Sequence, residues 1–241
     1  MRVYKRRAIR YNPGMSETDA APPPKKKGMN CGMWIVVGVL LILAAGFFIP
    51  PFGAVQERAR RLQAANNCRQ IMIALKSYAG DHSGKYTDAD PSDPYTSNEA
   101  FQPLIKLSLL EDERAFSAPA SPFVGDNDIG KAPDFYEALE VGENHWCLVE
   151  GLTDESDGNC ALVFENPAHD YTWPPVWDAD RAGLPVEGRA WKEHCQIIIG
   201  RNDGSVNPEK LISPKGPRVP LSDEVNAALF PPGGSFLPVA K

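Results

Sequence analysis

Four histidines, His82, His145, His169 and His194, and five cysteines are the residues of this chain best suited to acid–base or nucleophilic chemistry. The histidines stand in separate segments, with no His-Glu-x-x-His pair and no Gly-x-Ser-x-Gly elbow. Cys195 follows His194 directly and lies near Asp203, a combination that could supply a thiol nucleophile. Neighbours on a strand point to opposite faces, so this imidazole and thiol cannot meet through their side chains there. The sequence therefore predicts no enzyme and no catalytic residue.

Oxygen ligands are densest in Asp154-Glu-Ser-Asp157-Gly-Asn159, where Asp154, Asp157 and Asn159 form a calcium candidate. The segment lacks the twelve-residue EF-hand pattern, and a solvated hairpin loop explains it equally well. No other cofactor is expected. Trp173, Trp177 and Trp191, with Trp146, could line a carbohydrate or peptide groove, against the competing reading of buried core aromatics. Cys68, Cys147, Cys160 and Cys195 could pair in three ways or remain buried thiols.

Charge is unevenly placed. Residues 1–32 hold eight Lys/Arg against Glu17 and Asp19, a net of +6, which leaves −12 for the remainder of a chain whose net charge is −6. So acidic a remainder argues against a nucleic-acid partner. Between them lies Met33 to Ile49, seventeen residues without a charge, read as a transmembrane helix over 33–52. A cleaved secretory signal is the competing reading. By the positive-inside rule the N-terminus is then cytoplasmic and the rest periplasmic or extracytoplasmic, with the inner membrane as the location.

The elements that would position these residues follow from periodicity. Val55, Ala59, Leu62, Ala65, Cys68, Met72, Leu75 and Ala79 recur every three or four residues, predicting one amphipathic helix from Gly53 to Ala79. Pro50 and Pro51 predict a kink before it. A short helix is expected near Asn98 to Leu110, with Pro103 in its first turn. His145 to Leu152 and Cys160 to Glu165 read as one hairpin, and Cys195 to Gly200 with Ser205 onward as another, turned by Asp203-Gly204. Residues 167–188 read as a long surface loop. The expected domains are a disordered basic tail over 1–32, the span over 33–52, an α+β domain over 53–212 and a Pro/Gly-rich tail over 213–241.

An apolar N-terminal helix running into an amphipathic one, then loops and an antiparallel sheet, resembles the type IV pilin and type II secretion pseudopilin superfamily. Asn67-Cys-Arg-Gln-Ile-Met-Ile-Ala-Leu-Lys-Ser-Tyr-Ala-Gly-Asp-His-Ser-Gly-Lys-Tyr86 is similar to the helix end of pilin-like proteins. Ile-Ile-Gly-Arg-Asn-Asp-Gly-Ser-Val206 is similar to the late hairpin of the large pilin-like families of Planctomycetes and Verrucomicrobia. The resemblance implies prepilin-type cleavage between Gly28 and Met29. Met33 would then be the fifth mature residue, where these families carry a Glu that fixes packing register.

The function expected is a structural subunit acting by helix packing, with Arg58, Arg60 and Arg61 as assembly surface and copies of itself or related subunits as partners beside the membrane. The alternative is a monomeric membrane-tethered binding module using the tryptophan-rich loop. A secreted enzyme using His194 or Cys195 is the third reading.

Overall fold

The computed structural model describes residues 31–48, 52–89, 94–168 and 171–241. Two compact units divide the chain at Pro50/Pro51. In the first, helix α1 spans Cys31–Phe48, 18 residues or about 27 Å of helix. No helix among the described residues is long and apolar enough to cross a membrane. The expected transmembrane helix is thereby corrected. The expected proline kink, the basic tail, Gly28, Met29 and His169 fall outside the described residues.

The second unit is α+β. Helix α2, Phe52–Asp81, is its longest element. It ends where Gly84 takes φ +79° and returns its N–H to the carbonyl of Ala79 at 2.8 Å. Helix α3, Ser97–Lys106, starts from a capping box in which Thr96 and Glu99 satisfy each other's backbone N–H groups. Pro103 lies well inside α3 rather than in its first turn.

Five antiparallel strands follow: β1 Trp146–Val149, β2 Ala161–Glu165, β3 Gln196–Arg201, β4 Val206–Lys210 and, after the short helix α4 (Asp223–Leu229), β5 Phe236–Leu237. Their order across the sheet is β4-β3-β2-β1-β5. Both expected hairpins are present. The second turns at Gly204, φ +88°, with the Ser205 N–H held by the Asp203 carboxylate at 2.8 Å.

Strand alternation sorts side chains to two cores. Trp146, Leu148 and Ile198 face Cys68, Ile71, Met72 and Leu75 of α2 and Phe101 and Leu104 of α3. Gly200 marks where α2 lies closest on the sheet: a Cβ there would meet Met72 Sδ at 2.8 Å and Cys68 Sγ at 3.0 Å. On the opposite face, Cys147, Phe164, Ile197 and Ile199 are covered by Trp177, Ala190, Leu221, Leu229, Phe230 and Val239. Two expectations are corrected here. The described part of the 167–188 segment is not all surface loop, since it sends Trp177 and Ala179 into this second core, and residues 213–241 belong to the domain, supplying α4 and an edge strand instead of a loose tail. All four cysteines of this unit are free and buried.

Candidate functional site

The outer face of α2 is the site that stands out, and it arises from a split in the sequence periodicity. From Cys68 onward the expected stripe is the core face, joined by Ala64, Ile71 and Tyr78. Val55 and Leu62, expected on that face, are 64% and 59% exposed, and Ile73 joins them at 64%. At about 100° per residue these three stand within about 20° of one another and nearly opposite Ala64 and Leu75. Ala59, Asn66 and Arg69 fill the intervening positions, all exposed, giving steps of four, three, four, three and four from Val55 to Ile73. Arg69 donates to Asn66 Oδ1 at 2.9 Å, and Arg58 lies exposed along the same edge. The result is an apolar seam flanked by arginines.

The three expected assembly arginines separate. Arg58 and Arg60 are exposed. Arg61 instead turns inward: it donates to Gln196 Oε1 at 2.6 Å and pairs with the Glu193 carboxylate at 3.0 Å. The Glu193 N–H in turn donates to Glu57 at 2.9 Å. Arg61 is therefore a tether between α2 and the start of β3, and it is withdrawn from the assembly surface.

The tryptophans part company in the same way. Trp177 and Trp191 are fully buried and donate their indole N–H groups to the carbonyl and the carboxylate of Glu165, so neither lines a groove. Trp173 is half-buried and donates to the Pro231 carbonyl at 2.8 Å. A core role overrides the ligand-loop expectation for Trp177 and Trp191, because an indole buried with its N–H satisfied offers no face to a ligand.

Of the calcium candidates, Asp157 is tied into loop geometry. Asp157 Oδ1 accepts the Asn159 N–H at 2.9 Å and its side-chain amide at 3.3 Å. The Asp154 N–H donates to the Gly84 carbonyl at 2.9 Å, and Asn202 clamps the loop by donating to the carbonyls of Thr153 and Ser156. A hairpin loop pinned by its own oxygens accounts for the composition.

His194 and Cys195 lie in a left-handed turn before β3, with φ +62° and +49°, rather than on the strand. The imidazole is exposed while the thiol is buried, and burial pushes the thiol pKa up. A thiol so placed is the reverse of an activated nucleophile.

Two polar clusters had no signature in the sequence. In the first, Glu165, buried between the two cores, accepts from Trp191 Nε1 at 2.9 Å, from the Ile198 N–H at 2.8 Å and from His145 at 3.3 Å. The other ring nitrogen of His145 meets Ser121 Oγ at 2.9 Å. The order Ser–His–Glu is that of an acyl-transfer relay. However, the Phe123 N–H is spent on Ser121 Oγ itself, the Ser121 N–H is spent on the Ala118 carbonyl, and Pro122 has none. The backbone N–H groups of Ser121 and Phe123 are therefore not turned toward an oxyanion in this arrangement. The relay fastens the 119–123 loop to the sheet, helped by Arg189, which donates to the carbonyls of Pro119 and Ala120 and stacks on Trp191 at 4.2 Å.

In the second cluster, carboxylate oxygens of Glu113, Asp126 and Glu143 lie within 4.8 Å of one another. Glu113 accepts the N–H groups of Leu139 and Asn127; Glu143 accepts those of Asp126 and Glu140. Burial, and the charges of neighbouring carboxylates, hold both glutamates above the ordinary carboxylate range. The pair pins the loop 126–140, and its oxygens are already turned to amide donors. Spread over thirty residues, these acids have no spacing that a motif could register.

Comparison with protein-family models, with curated proteins and with solved structures finds no match to this chain.

Proposed function

We propose that the chain is a non-enzymatic structural subunit of the pilin-like kind, acting by packing of its long helix against neighbouring subunits. The observation that carries this reading is the outer face of α2, where Val55, Leu62 and Ile73 remain exposed on a helix whose other side is core. Large aliphatic side chains left exposed along one line of a helix, seven and eleven residues apart, are what a partner surface buries. The resemblance of the 67–86 and 198–206 segments to pilin-like proteins supports the same reading.

The binding-module alternative rested on three tryptophans, two of which now serve the core. The catalytic alternative rested on His194 or Cys195; burial keeps the thiol protonated and the exposed imidazole does not pair with it.

The test is self-association of the full chain by sedimentation velocity over a range of concentrations. Leu62→Glu with Ile73→Glu places two charges in the seam without touching the core. Loss of the larger species supports the reading; an unchanged distribution, with the fold intact by circular dichroism, overturns it.

A further inference from the structure

We infer that the occupant of the α2 seam is the acidic 126–141 loop of a second copy of this chain, docked head to tail. This rests on the assembly reading above and names its partner.

Charge complementarity carries the argument. Arg58 and Arg69 stand exposed beside the seam of α2, in a domain that is otherwise strongly acidic. The loop 126–141 holds Asp126, Asp128, Asp134, Glu137 and Glu140 against Lys131, a net of −4. Asp126, Asp128, Asp134 and Glu140 are exposed there. So are Tyr136, at 67%, and Val141, at 65%. Each patch is thus a mixture of large apolar side chains and charges, and their net signs are opposite.

Neither patch suits a copy of itself. Two seams face to face would bring arginines together, and two loops would bring carboxylates together, like-charge contacts that oppose association. The patches also occupy different parts of one subunit. The loop is held against α3 by Asn98, which donates to the carbonyls of Leu139 and Glu140, while the seam lies on the side of α2 turned away from the core. A pairing of different surfaces is heterologous, so each added copy presents a fresh seam or a fresh loop.

The loop is also prepared for docking. The four amide bonds to Glu113 and Glu143 fix its backbone before any partner arrives, which lowers the ordering cost of association. The seam from Val55 to Ile73 is about 27 Å long, so it covers only part of the roughly 800 Å² per partner of a standard interface. Association through it is expected to be weak and to fall as salt is raised.

The experiment uses three forms of the full chain at low salt in sedimentation velocity: wild type, a seam variant (Arg58→Glu with Arg69→Glu) and a loop variant (Asp134→Lys with Glu140→Lys). All four positions are exposed, so folding is preserved, and circular dichroism verifies it. Each variant alone is expected to lose association by about tenfold or more. Mixed, the two variants have reversed charges on complementary surfaces and one native surface each, so association returns as mixed species containing both. Return of association only on mixing supports the inference. If the seam variant loses association while the loop variant keeps it, the inference is overturned, although the assembly reading stands. If both variants associate like wild type and Leu62→Glu with Ile73→Glu does too, both fall.

Discussion

Glu165 and Trp191 meet inside the domain with the indole N–H 2.9 Å from the carboxylate, and this contact ties together the two cores on either side of the sheet. The same carboxylate accepts the Ile198 N–H and the His145 ring. Arg189, stacked over Trp191, has its pKa lowered by burial and partly supported by the negative charge of Glu165. A buried charge with several donors is costly to disturb, because its partners have no water to turn to.

Replacing Glu165 by Gln is accordingly expected to cost about 3 kcal/mol of stability, since an amide returns an N–H group to sites that require acceptors. Trp191→Phe removes one donor and some packing, at about 1–3 kcal/mol. The double variant is expected to be less destabilised than the sum by about 1 kcal/mol, as for residues in one network. Urea unfolding of the four proteins measures the cycle.

Gly200 and Met72 supply a packing prediction. Gly200→Ala drives a methyl group into Met72 Sδ and Cys68 Sγ, both buried on α2, and overpacking of this kind costs about 1–3 kcal/mol. Met72→Ala on the Gly200→Ala background opens space beneath the new methyl group. Its own cost should therefore be smaller there than in the wild type, a comparison that thermal melts read directly.

Arg61 and Arg58 are neighbours on one helix with opposite fates. Arg61→Ala breaks the half-buried pair with Glu193 and the bond to Gln196, and is expected to cost about 1–2 kcal/mol. Arg58→Ala is expected to be neutral in stability and to act only on association. Denaturation midpoints separate the two.

The loop held by Glu113 and Glu143 should respond to pH in one direction. Both carboxyl groups have folded-state pKa values raised above the unfolded ones, chiefly by burial. Their contribution to stability is fully present below the ordinary carboxylate range of about 4 and is lost as pH rises through the raised values. Asp88 is shifted the same way by burial, whereas Asp203 is shifted down by its bonds to Ser205 and contributes in the opposite sense. A local readout avoids mixing these effects. Hydrogen exchange at the amides of Asn127 and Leu139, corrected for intrinsic rate, should show protection falling as pH rises through that window. Glu113→Gln should flatten the response, and an unchanged profile would count against this account.

Much of the scaffold was legible because regular elements write their period into the sequence. The α2 stripe from Cys68 to Ala79 and the Asp203-Gly204 turn both follow from spacing alone. The first half of the same stripe misled, because its steps drift around the helix and leave Val55 and Leu62 nearly opposite Leu75, on the outer side. The side chains of Trp177, Leu221 and Phe230 were misread as parts of a loop and a tail, since an irregular chain buries side chains without any repeat. The candidate site was half visible: Arg58 and Arg60 were identified, but only the fold could assign Arg61 to an internal pair and bring Glu113 beside Glu143.

The fastening of α2 near its N-terminal end also determines how the domain would transmit tension. Residues 53–60 are mostly exposed, and the first ties met along the helix are Glu57 to the Glu193 amide and Arg61 to Glu193 and Gln196. A tug on that end of the helix would therefore be felt first at Glu193 and Gln196, on either side of the left-handed His194–Cys195 corner, before it reached the hydrophobic interior.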